Sequence, residues 1–102
     1  MPEHLVHFSK YDVVYQCDHL GNKWLHRYIL HDWCHLFAVT ALLKPSTTCG
    51  PYYVIAQTKK EARDRFQTVY GYSLRAKEIR ECDQEEQDSV LIECWKHPRN
   101  LI

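Results

Sequence analysis

The residues with the widest chemical range in this 102-residue chain are its histidines and cysteines, seven and five of them. His26, His31, Cys34 and His35 crowd into one short stretch. In a helix extended one residue upstream of Asp32, His31 and His35 stand at i and i+4 and Cys34 at i+3 from His31, a spacing compatible with zinc. Cys94-x-x-His97 and Cys17-x-His19 could complete such a site from elsewhere in the fold. No C-x-x-C pair accompanies them, and histidines among large apolar neighbours are ordinarily held by hydrogen bonds. Zinc at His31, Cys34 and His35 is therefore an alternative reading, and no resident cofactor is expected.

A thiol nucleophile at Cys34 or Cys49 would need a depressed pKa, an orienting base and an oxyanion hole. Cys34 and His35 are adjacent, so a helix would point them apart. Glycine occurs only at Gly21, Gly50 and Gly71, which leaves no phosphate-cradling loop. No G-x-S-x-G, H-E-x-x-H or EF-hand pattern is present. These absences point to a protein that is not an enzyme.

Charge is the next feature. The net charge is zero, but residues 59–80 hold seven basic side chains against three acidic ones, and residues 81–95 hold six acidic and no basic ones. Lys59, Lys60, Arg63, Arg75 and Lys77 form a candidate phosphate-contacting group, so nucleic-acid binding through helix 59–70 and strand 74–80 is one alternative. Asp83, Glu85, Glu86 and Asp88 read as an acidic loop able to engage a basic groove on a partner. Seven tyrosines and three tryptophans exceed what a small two-layer fold buries with every polar tip satisfied, which puts Tyr11 and Tyr15 among candidate contacts on a partner or homodimer face.

These side chains must be positioned by a single domain, with 99–102 as a tail. Thr58 and Glu61 spell a capping box, and Ala62, Phe66, Val69 and Tyr70 make an apolar stripe ended by Gly71, predicting a helix over 59–70 with a left-handed stop. The run 52–56 predicts a strand buried on both faces. Strand 74–82 changes phase, and a bulge near Lys77–Glu78 would restore one apolar face. Residues 5–8 read as a short strand or lead-in, and 11–17 with 23–30 as a hairpin. Asp32 caps a predicted helix over 33–43, with a strand as the alternative; 45–51 reads as a loop and 90–95 as a strand antiparallel to 74–82. The expected fold is α+β: a mainly antiparallel sheet of four to six strands with one or two helices packed on a face.

No apolar run is long enough to span a bilayer, and the N-terminus lacks a secretory pattern, so a cytoplasmic setting without membrane contact is expected. The function expected from these features is a small protein-binding module. Its sharpest form is an anti-CRISPR-like inhibitor, made by a phage or mobile element, that docks on a host defence protein or ribonucleoprotein complex. A small zinc-binding or thiol-dependent protein is the remaining alternative.

Overall fold

The computed structural model describes residues 5–6, 10–14, 29–43, 47–71 and 74–96. The elements run β1 (Leu5–Val6), a 3₁₀ turn (Lys10–Asp12), β2 (Val13–Val14), β3 (Ile29–Leu30), β4 (His35–Leu43), β5 (Thr47–Ala56), α1 (Lys59–Tyr70), β6 (Arg75–Glu81) and α2 (Gln84–Lys96). The main sheet has the order β1-β5-β4-β6. Its antiparallel part is the three strands β5, β4 and β6, and β1 joins β5 in parallel at one edge. The fold is α+β as expected, but among the described residues the antiparallel ladder of this sheet stops at three strands.

Strand β4 is the centre. Leu36, Phe37, Ala38 and Val39 are consecutive and all buried. The predicted helix over 33–43 is therefore wrong and the strand alternative right. An unbroken apolar run suits a strand sandwiched between two covered faces as well as it suits a buried helix, and β-branched and aromatic residues favour the strand. The predicted loop at 45–51 is also corrected from residue 47 onward, because Thr47–Pro51 continues β5.

The two faces have separate cores. Phe37, Val39 and Ala41 of β4 join Tyr52, Val54 and Ala56 of β5 beneath Ala62 and Phe66 of α1. Leu36 and Ala38 join Ile55, Cys82, Val13 and Leu30 beneath Val90 and Leu91 of α2. The helices thus lie on opposite faces of the sheet and not together on one.

Helix α1 matches its predicted range. Thr58 Oγ1 accepts the Glu61 backbone N–H at 3.1 Å, which satisfies one orphan donor of the first turn. Its buried row is Ala62, Phe66 and partly Tyr70, and Tyr52 packs against both Phe66 and Tyr70 at ring separations of 5.5 and 5.1 Å. Val69, placed on the stripe by spacing, is instead exposed. An i, i+4 row inclines to the helix axis and carries contact away from it. Gly71 closes the helix in a right-handed conformation (φ −57°) rather than the left-handed one predicted. Its lack of a side chain still matters, because a Cβ there would collide with the Gln67 carbonyl.

Two bulges meet opposite Thr40. On β6, Thr40 pairs with Glu78 and Ala41 with Ala76, leaving Lys77 as the extra residue. The predicted bulge is therefore present, and Leu74, Ala76 and Ile79 all reach the α1 side. On β5, Val39 pairs with Tyr52 and Ala41 with Cys49, so Gly50 and Pro51 share one place. Gly50 has φ 119°, and a Cβ on it would lie 2.9 Å from the Val39 carbonyl oxygen, so only glycine fits.

The acidic loop and the strand predicted at 90–95 are one helix, α2. Asp83 Oδ1 accepts the Glu86 backbone N–H at 2.8 Å, an N-cap. The pattern D-x-x-E is a capping-box spelling, and the acidic first turn suits the positive end of the helix dipole. Of the predicted hairpin, Val13 pairs with Leu30 and Val14 with Ile29; the rest of both arms, with Tyr15, lies outside the described residues. Tyr11 sits in the 3₁₀ turn before β2 rather than in a strand.

If the α1 face is core and Asp83 only a cap, their truncations should differ sharply. Phe66→Ala should cost about 3–5 kcal/mol and Asp83→Ala about 1 kcal/mol, read by urea denaturation. Equal costs would contradict this division.

Candidate functional site

The turn His31–Cys34 joins β3 to β4 and is closed by the Cys34 N–H donating to the His31 carbonyl at 3.0 Å. Leu30 and Cys34 at its two ends are buried, so its apex, Asp32–Trp33, is forced outward. Trp33 is 56% exposed. The His31 ring lies flat against it, with centroids 4.3 Å apart and planes within 6°. Beside this pair, between the turn and the first turns of α2, is a cleft of about 290 Å³. Its wall includes His31, Asp32, His35, Gln87 and Asp88, with Leu91 among its apolar residues, and among the described residues it has no lysine or arginine. The site is a flat aromatic surface at the rim of a small cleft with two carboxylates.

Among the described residues the histidines and cysteines do not converge on a nucleophile or a metal; His26, Cys17, His19 and His97 lie outside the described residues. With the segment extended rather than helical, the i, i+4 premise fails. His35 Nδ1 reaches Glu81 at 2.8 Å at the exposed start of β4, and the Cys34 thiol turns inward to Asp12, Sγ to Oδ1 4.0 Å. Among the described residues no group of three His, Cys, Asp or Glu side chains is placed to hold a metal ion. Burial pushes the Cys34 thiol upward, and the Asp12 charge adds to it. Burial, helped by Glu86, pushes Cys82 up to about 12. Both shifts run opposite to what a thiolate nucleophile needs.

The acidic residues split by role. Asp83 caps α2. Glu86 is a buttress: Arg80 donates to it twice, at 2.7 and 3.0 Å, and the Tyr53 hydroxyl donates at 3.1 Å. Tyr53 and Arg80 both pair with Ala38, from either side, so the small methyl of Ala38 leaves room for them to meet Glu86 above β4. Arg80 holds the Glu86 carboxyl below the usual range, against its partial burial. Asp88 lines the cleft and accepts from Gln84 at 2.9 Å. Glu85 is exposed on a second depression of about 330 Å³, with Tyr53, Asp83 and Glu86. Tyr11 is 79% exposed.

The basic group does not share one surface. Lys59, Lys60 and Arg63 are exposed on the first turns of α1. Arg75 pairs with Leu42 at the far end of the sheet and alternates with Leu74 and Ala76, which reach the α1 side, so it points to the opposite face. Lys77 stands at the bulge. The cations that tertiary structure does employ are Arg80, on Glu86, and Arg65, which reaches Asp12 at 3.3 Å, Glu61 at 3.1 Å and the Ile55 carbonyl. Asp12 is the buried charge of the described residues, and Arg65 compensates it.

Spacing alone did not single out Trp33, which counted as one more apolar residue of a helix. The signal that could have found it is Asp32: an aspartate ahead of an aromatic reads equally well as a turn. No protein-family model, no curated protein and no solved structure matches the chain. Among the described residues no helix is long and apolar enough to cross a membrane.

At mildly alkaline pH, maleimide labelling mapped by mass spectrometry should leave Cys34 and Cys82 unmodified until denaturant is added. Rapid labelling of either in the folded protein would contradict the inward placement of the thiols.

Glu86 sets a pH dependence. A carboxylate held below its ordinary value stabilises the fold above that value and loses the contribution as pH falls through the lowered one. Glu86→Gln should cost about 1–2 kcal/mol at neutral pH, with the Arg80 share reduced because that side chain is 53% exposed and screened by solvent. Its stability should also fall less steeply in acid than that of the parent. An unchanged acid limb in the variant would remove Glu86 from this role.

Proposed function

We propose that the protein is a non-enzymatic binding module that docks a cationic segment of another protein or ribonucleoprotein complex at Trp33 and the cleft beside it. The observation that carries this is the exposed, stacked Trp33–His31 pair at the rim of a cleft that bears Asp32 and Asp88. Tryptophan is the side chain most often found as an energetic anchor of an interface, because it removes a large area from water with little rotamer entropy to lose. An arginine or lysine can lie on the indole face while its charge meets the carboxylates. Within this reading Asp88 keeps its expected place at the contact, Trp33 replaces tyrosine as the anchor, and Asp83 and Glu86 serve the fold. The narrower form, an anti-CRISPR-like inhibitor, specifies a nucleic-acid-handling defence complex as the partner.

The test is affinity capture from cells in which the protein acts, with three variants in parallel. A specific partner should bind the parent and Val69→Ala, whose substitution lies on exposed α1 surface. It should weaken by about 30-fold or more with Trp33→Ala and less with Asp88→Asn. Added salt should weaken capture. Capture that survives Trp33→Ala unchanged would place docking elsewhere, and a protein that captures nothing would not be a binding module of this kind.

A further inference from the structure

The Trp33–His31 stack and the cleft beside it favour one kind of cation. We infer that the side chain they take is arginine and not lysine, laid flat on Trp33 and forked to the cleft carboxylates, an inference that rests on the docking of a cationic segment at Trp33.

Shape supplies the first argument. The Trp33 and His31 rings lie within 6° of parallel, so the imidazole covers one face of the indole. Trp33 is nevertheless 56% exposed, which leaves its other face largely open. A guanidinium is a flat, delocalised and weakly hydrated cation that can lie parallel to such a face over its whole area. An ammonium is compact, touches the ring at one point and gives up more hydration to do so.

Hydrogen bonding supplies the second. A guanidinium flat on the indole keeps its five N–H donors in one plane, directed outward from its rim. Asp32 precedes Trp33 at the apex of the turn, and Asp88 and the Gln87 carboxamide line the cleft from α2. Gln84 donates to Asp88 Oδ1 at 2.9 Å, which holds that carboxylate in place before any ligand arrives. Arginine can therefore stack and bond at once, and it meets a carboxylate two bonds at a time. Lysine has three donors around one nitrogen and must turn away from the ring to use them all.

Size and field agree. At about 290 Å³ the cleft is at the lower limit for a small-molecule pocket and suits one side chain. The half-buried Ile29 on its wall offers apolar contact to a methylene stem. His35, the second imidazole of the wall, is directed to Glu81 at 2.8 Å. Among the described residues no lysine or arginine lines the cleft, so the cation must come from the partner.

The experiment follows the Trp33 indole N–H resonance of the full chain, assigned by its loss in Trp33→Ala. Three blocked tripeptides, glycine-Xaa-glycine with arginine, lysine or citrulline at the centre, are titrated in; citrulline keeps the planar shape without the charge. The arginine peptide should shift the resonance and bind about 5-fold or more tightly than the lysine peptide. The citrulline peptide should bind more weakly than the arginine one. Asp32→Asn combined with Asp88→Asn, its fold checked by circular dichroism, should remove most of the arginine preference. A lysine peptide that binds as well as the arginine one would overturn this inference and leave cation docking at Trp33 intact. A preference unchanged in the double variant would overturn the fork to the carboxylates. No shift with either cationic peptide would overturn both this inference and cation docking at Trp33.

Discussion

The whole architecture depends on β4 being apolar on both faces. Leu36 and Ala38 point one way, Phe37 and Val39 the other, and all four are buried. A strand of this kind has no stable place at an edge or on an open sheet. Burying it takes a neighbour on each side and a layer on each face. Strands β5 and β6 are the neighbours, α1 is one layer, and α2 with the β2–β3 pair is the other. Residues 34–39 thus dictate a three-layer sandwich, while the other elements decide which piece fills each layer.

Polar contacts then orient the layers. Glu86 draws α2 down onto the row Tyr53–Ala38–Arg80, and Arg65 ties α1 to Asp12 on the other side of the sheet. Neither contact is a large source of stability. An exposed guanidinium is screened, and a buried pair returns mainly what its desolvation cost. Their effect is geometric, since non-directional apolar burial alone would leave each helix free to slide over its face.

The site is a by-product of the same constraint. With Leu30 and Cys34 anchored in the core, the turn between them has nowhere to bury Trp33, and its ring rests on His31 at the surface. The acidic N-terminal turns of α2 come alongside because Asp83 starts that helix immediately after β6 ends. An apolar anchor and a carboxylate-bearing cleft are thereby brought together from segments about fifty residues apart.

Local patterns in the sequence determined what local physics controls. The cap at Thr58, the apolar row of α1, the doubly buried run at 52–56 and the bulge that keeps Ile79 in phase with Leu74 were all legible, because each depends on neighbours within a turn or a pleat. The nature of 33–43 and 90–95 was not. A continuous apolar run satisfies a buried helix and a buried strand equally, and only the partner that arrives decides. For β4 the partners were two strands. For 90–95 the cap at Asp83 and a free face of the sheet selected a helix. The fate of the charged residues was likewise tertiary: Glu86 and Arg65 became structural, the basic side chains dispersed over two faces, and Trp33 was left outside. Sequence order sets which residues are charged or aromatic, but burial is a property of the assembled layers, and exposure is what burial leaves over.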